Sequence, residues 1–199
     1  MALAALPAAP KGEASTRQQI VEAALRCILK FSIEKAGISD IAREAGLTRA
    51  TVYSYFPSKE EVLHAALMQV VGDFVADLAH HLEAFEAPAE RLSEALVHIC
   101  IEIPRNPYLR IINEPHMAAQ VYGKTLTSPE GTAIRLQLLD MILQGSAGPL
   151  EPLCEIYTRM IVSMLTMRDA HPKGADDLRR FFRPLVGLAV PLTAGIGAP

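Results

Sequence analysis

The chain has 199 residues, half of them apolar and 21% charged, with a formal net charge of -3. That is enough chain for one large domain or two joined ones with a self-sufficient core, and too apolar a composition for a disordered segment. Three cysteines, Cys27, Cys100 and Cys154, are odd in number and widely spaced, which excludes a disulfide scaffold or CxxC site and favours a reducing compartment.

Residues 1–13 read as a disordered leader, since Met1 to Pro10 has neither a basic start nor a long unbroken apolar run. Ser15 with Gln18 three residues on forms a capping signature; Ile20, Ala23, Ala24, Cys27, Ile28 and Phe31 then share one face at helical spacing. Short segments follow, separated by Gly37, Gly46 and Pro57. Ser58 and Glu61 form a second capping signature, and the proline-free run up to Pro88 predicts one helix of about 40 Å. Further helical blocks run from Pro88 to Pro104, Pro107 to Tyr122, Pro129 to Gly145, Pro149 to His171 and Gly174 to Thr193. Leu96 to Ile103 alternates like a strand but continues its block without a break, and is read as a buried helix. The most apolar stretch, Leu185 to Pro199, is too short for a membrane span and is broken by Pro191, so no membrane association is expected and the location is read as cytoplasmic.

The informative passage is GISDIAREAGLTRATVYSYFPSKEEVL, Gly37 to Leu63. Ile41, Ala42 and Ala45 share one helical face, Gly46 stands where a left-handed turn is needed, and Thr48 is placed to cap a short second helix. Such a helix-turn-helix can set its second helix in a DNA major groove. Val52 and Phe56 would anchor that helix to the core, leaving the other face to read DNA. Arg49 offers a bidentate donor to guanine, and Thr51 suits a thymine methyl or a phosphate. Tyr53, Tyr55 and Lys59 suit phosphate oxygens, with Ser39 and Thr48 as further phosphate candidates at helix starts. Lys11 to His64 carry eight basic against seven acidic residues, so a few placed contacts and not a general basic field must hold the polyanion.

On Ile41-Ala42, Ala45-Gly46, Tyr53, Phe56 and Lys59-Glu60, the segment Arg17 to Leu67 resembles the TetR family of transcriptional regulators. The resemblance implies an all-α fold: an N-terminal three-helix helix-turn-helix domain (residues 14–72) and a larger helical bundle for ligand binding and dimerisation (residues 73–199). It further implies a homodimer on a palindromic double-stranded operator, a small-molecule effector, and DNA contacts at Ser39, Thr48, Arg49, Ala50, Thr51, Tyr53, Tyr55 and Lys59. One departure is Gly37, where the family usually places a Thr; glycine can cap a helix but brings no hydroxyl. The family pairs its last two long helices as a four-helix bundle, and residues 184–199 here carry no charge.

The regulatory helices offer many apolar and few charged side chains, so the expected effector is apolar or amphipathic with one or two polar anchors. His98, His116 and Tyr122 are weak candidates for those anchors. His98 and Glu102, four apart, would make two ligands of a metal, but no third is placed, and neither metal nor cofactor is expected. The Met160, Met164, Met167 stripe reads as packing or dimer surface. There is no GxSxG, GxxxxGK[ST] or HExxH, so the chain is not read as an enzyme. A helical adaptor that keeps the motif without sensing a ligand is the remaining alternative.

Overall fold

The computed structural model describes residues 11–112, 128–144, 150–167 and 173–194, and among these the regular structure is all helical. In chain order the helices are α1 (Lys11–Phe31), α2 (Ile38–Glu44), α3 (Arg49–Tyr55), α4 (Lys59–Leu82), α5 (Pro88–Arg105), α6 (Pro107–Ile112), α7 (Pro129–Leu143), α8 (Leu150–Thr166) and α9 (Ala175–Ala194). The chain divides into two compact units, Met1–Asp73 and Phe74–Pro199, and α4 runs unbroken through the division.

In the first unit α1 buries the face read from its periodicity: Ile20, Ala23, Ala24, Cys27 and Ile28 are all buried and Phe31 is half-buried. Its start differs from expectation. The helix begins at Lys11, so Ser15 lies inside it and caps nothing, and Lys11 to Glu13, assigned to the leader, are helical. Gln18 instead reaches Glu22 and Gln69, each at 3.2 Å. Gln19 Nε2 donates to the Ala45 carbonyl at 2.7 Å and Arg26 pairs with Glu44 at 2.8 Å, which fastens α1 to the end of α2.

The α4 cap is as read, with the Ser58 hydroxyl accepting from the Glu61 amide at 3.2 Å. At 24 residues α4 is about 36 Å long, shorter than the run to Pro88 suggested. It stops at Leu82, where tight turns take over: Glu83 N–H to the His80 carbonyl and Phe85 N–H to the Leu82 carbonyl. Among the described residues α4 alone is long and apolar enough to cross a bilayer, a property the sequence reading gave to no segment. Its Val62, Leu63, Ala66, Val70, Leu78 and Leu82 are buried, although only 28% of its most apolar 18-residue window is.

The second unit is organised around α5, which packs against α6, α7, α8 and α9. A helix with neighbours on several sides has few positions left for polar side chains. That is why Leu96 to Ile103 looked strand-like and is nevertheless helical. Leu78, Leu82, Leu96 and Phe182 are at most 2% exposed in its core, each such side chain contributing about 1.5–3 kcal/mol by burial. Two polar ties join α5 and α8 to α9. Glu94 accepts both arms of the Arg179 guanidinium, at 2.7 and 2.9 Å, and the Tyr157 hydroxyl donates to the Leu185 carbonyl at 3.2 Å.

Candidate nucleic-acid interface and regulatory cavity

The turn between α2 and α3 is set by backbone chemistry. Gly46 sits at φ 66°, the left-handed region, with its amide bonded to the Arg43 carbonyl at 3.1 Å. The next amide, Leu47, reaches the Ala42 carbonyl at 2.8 Å; together these bonds satisfy the open carbonyls at the end of α2. A Cβ at position 46 would meet nothing within 4 Å, so the glycine answers to φ and not to space. Thr48 then caps α3: its hydroxyl accepts from the Thr51 amide at 3.1 Å and lies 2.9 Å from the Thr51 hydroxyl. Gly37 caps α2 without a side-chain bond, as a glycine must.

These constraints orient α3. Val52 is fully buried and Phe56, just past the helix end, is 2% exposed with the Arg17 guanidinium 4.5 Å above its ring. The opposite side is left open: Arg49, Ala50 and Tyr53 are exposed, while Thr51 and Tyr55 are half-buried. Among the described residues Arg49 makes no ion pair, whereas Arg43 is engaged by Asp40 at 2.5 Å. Ser39 and Thr48 are exposed near the starts of α2 and α3. Lys59 differs from the picture of a free cation, because its ammonium donates to the Glu34 carbonyl at 2.8 Å and so ties the α1–α2 connection to the start of α4. An ammonium has two further protons for a phosphate.

A cavity of about 60 Å³ lies among α5, α7 and α8 in the second unit. Leu96, Ile99, Leu139 and Ile142 give it apolar walls, and Arg135, Tyr157 and Thr158 add polar groups. Arg135 is buried, donating to the Thr132 hydroxyl at 3.0 Å and lying 3.5 Å from that of Thr158. Burial pushes the Tyr157 phenol up to about 12, so it stays a neutral hydrogen-bond donor. Cys154, on the same wall, has its thiol pushed up chiefly by desolvation, and burial takes Cys100 to about 11. Such thiols are poor nucleophiles.

His98 is not among the residues lining this cavity. Its Nε2 lies 3.0 Å from Asp77 of α4, and its ring stacks on that of His81 with centroids 4.7 Å apart. Its supposed metal partner Glu102 is taken by Arg105 at 2.8 Å. His116 and Tyr122 lie outside the described residues. Of the methionine stripe, Met160 and Met164 pack against the core and Met167 is 74% exposed. Sequence reasoning missed Arg135, Tyr157 and Thr158. The helical spacing of Arg135, Leu139 and Ile142, and of Cys154, Tyr157, Thr158 and Ile161, marks both faces as inward but does not separate a cavity wall from packed core.

Two short helices joined by a glycine turn, with the second capped, anchored and open on one side, define a helix-turn-helix DNA-binding protein. Residues 20–66 match the family model of the bacterial regulatory proteins, tetR family. The transcriptional regulator TtgW of Pseudomonas putida is 35% identical over 102 residues, which is 50% of this chain and 70% of that one. The chain belongs to the TetR family. The regulator BetI of Agrobacterium fabrum is 36% identical over 86 residues, covering 43% of this chain but only 41% of BetI. The chain thus spans about two fifths of the length of that relative. The fold extends further: the crystal structure of FadR from Bacillus subtilis in complex with stearoyl-CoA covers 90% of this chain and 98% of that one, with a TM-score of 0.58 at 20% identity.

Proposed function

We propose that the protein is a ligand-responsive transcriptional repressor of the cytoplasm, which binds a palindromic operator as a homodimer and is released by a small apolar or amphipathic effector. In this reading residues 14–72 are the DNA-binding domain and residues 73–199 bind the effector and dimerise. The observation that carries it is the open side of α3, with exposed Arg49, Ala50 and Tyr53 backed by buried Val52 and Phe56. Arg49 reads a base edge, while Ser39, Thr48, Thr51, Tyr53, Tyr55 and Lys59 position the helix on phosphates. Seven residues of recognition helix offer too few contacts for a tight site alone. Two-fold pairing doubles them at a spacing of about 34–36 Å.

FadR, which shares the fold, was crystallised with stearoyl-CoA, which supports a small-molecule effector, and the cavity among α5, α7 and α8 is the place offered for it here. A cavity of about 60 Å³ is small beside the roughly 300–1,000 Å³ of most ligand sites. The effector therefore selects or forces a more open arrangement, and it shifts DNA affinity only through its preference for that arrangement. Pairing through α8 and α9 would cover apolar side chains such as Ile156, 61% exposed, and Phe181, 43% exposed. Leu188 lies within the uncharged stretch, its side chain outside the described residues; Leu188→Asp is expected to yield monomers with weak operator binding.

The test is selection from a pool of random DNA duplexes. Recovery of an inverted repeat supports the reading, with half-site centres about one helical turn, or a multiple of it, apart. Recovery of no sequence, or of an unpaired half-site, overturns it.

A further inference from the structure

We propose that Arg91 is a positioning residue through which the state of the α5–α7–α8 cavity is passed to the end of α4. The inference rests on the proposed function and names a link within it.

Arg91 is 6% exposed, yet among the described residues it pairs with no carboxylate. Its guanidinium is spent on main-chain carbonyls instead. Nη1 donates to Leu82 at 2.5 Å and to Phe85 at 3.2 Å; Nε donates to Ile142 at 2.7 Å and Nη2 to Met141 at 3.3 Å. Leu82 is the last residue of α4, and Met141 and Ile142 lie in the last turn of α7. Both helix ends carry open carbonyls and the negative end of a helix dipole, which is what a buried cation without an anion needs. The planar fork fixes the distance between the two ends, since its donors cannot rotate independently.

The same turn of α7 faces the cavity. The Ile142 side chain lines it while the Ile142 carbonyl holds Arg91, and Leu92, the next residue after Arg91, lines it too. A body that widens the cavity by displacing its α7 wall moves the Nε bond with it. The Nη1 bonds then pull on the carbonyls of Leu82 and Phe85. From Leu82 the α4 helix continues unbroken to Lys59, four residues past the end of α3. A buried hydrogen-bond network that bridges two helix ends is the sort of element that can carry coupling between sites.

The test needs no effector, because the cavity can be filled by substitution. Leu139→Trp adds bulk on the α7 wall one turn before Ile142, and Cys154→Leu makes a smaller addition from α8. Affinity for the operator recovered from random duplexes is measured for wild type, Leu139→Trp, Arg91→Met and the double variant. Filling the cavity is expected to weaken wild-type binding by about 5–150-fold, the range of ordinary coupling between sites. In the Arg91→Met background it should change affinity by no more than about 2-fold, well below that range.

A merely structural arginine gives another pattern. Arg91→Met would lower the melting temperature, but filling the cavity would weaken binding by the same factor with or without Arg91; that result overturns the inference. An unchanged wild-type affinity on filling by both routes overturns it equally. If Arg91→Met does not fold by circular dichroism, Arg91→Lys serves. Its single ammonium keeps the charge but cannot hold both helix ends, so the coupling should shrink there as well, and full coupling contradicts the proposal. Failure to recover any operator with wild type is a separate outcome, which removes the proposed function itself.

Discussion

Removing the charge of Glu94 tests how the second unit is held. Glu94 on α5 is 8% exposed, and both its oxygens accept from Arg179 on α9, whose own side chain is 45% exposed and also bonded to Asp176. The Arg179 guanidinium holds the Glu94 carboxyl below its ordinary range, outweighing a desolvation that acts the other way. Glu94→Gln keeps the volume and one acceptor but turns charged hydrogen bonds into neutral ones. Such bonds contribute about 1.5–3 kcal/mol. The solvent around Arg179 screens the pair, so the lower half of that range is expected, about 1.5–2 kcal/mol. The sign with pH follows from the depressed value. The contribution is fully present above the ordinary carboxylate range, near 4.5, and is lost as pH falls through the lower folded value. Urea denaturation followed by circular dichroism should therefore show wild type more stable than Glu94→Gln by that amount at pH 7.5, with the gap closing in acid. A gap that stays constant down to pH 3, or no coupling with Arg179→Met in a double-mutant cycle, would refute the reasoning.

Four further outcomes follow from the geometry. Arg49→Ala should cost about 1–3 kcal/mol per half-site and relax the preference at one operator position; an unchanged selected motif contradicts base reading. Lys59→Ala should weaken binding to all sequences alike and flatten the salt dependence by about one unit of slope per protomer, and sequence-selective loss in a salt titration would count against it. Gly46→Ala should cost about 1–2 kcal/mol by the positive φ alone, since nothing crowds a Cβ there; thermal melts showing no loss would contradict the left-handed turn. Cys100, with its thiol at about 11 against 9.0, should alkylate with iodoacetamide at pH 8 on the order of 10-fold more slowly than an unperturbed thiol, the scarcity of thiolate being partly offset by its greater nucleophilicity, and equal rates would count against the desolvation.

The helix-turn-helix was legible because its determinants are local. Gly46, Thr48, Val52 and Phe56 act within a few residues of one another, and each of their roles is a short-range backbone or packing requirement. The start of α1 misled for the same reason: Ser15 and Gln18 have the capping spacing, but nothing before them stops the helix, which continues back to Lys11. The second unit was legible only as helices. Arg91 and Glu94 look like surface residues of an amphipathic helix, but each has a partner far along the chain, the Ile142 carbonyl 51 residues on and Arg179 85 residues on. His98 was noticed for Glu102 four residues on, while its actual partner, Asp77, lies 21 residues back on α4. Partnerships of that kind leave no periodic trace, so the charged positions of the core and the wall of the cavity emerge only when the helices are packed.

The most direct test of the account is the stoichiometry and spacing of the DNA complex. A fluorescently labelled duplex carrying the selected inverted repeat is titrated at fixed salt, beside duplexes with one half-site erased or with five base pairs inserted between the halves. The account predicts two protomers per full site and a loss of well over tenfold when a half-site is erased. A comparable loss is predicted for the half-turn insertion, since it carries the second recognition helix to the wrong face of the DNA. One protomer per duplex, with equal affinity for all three, would contradict it.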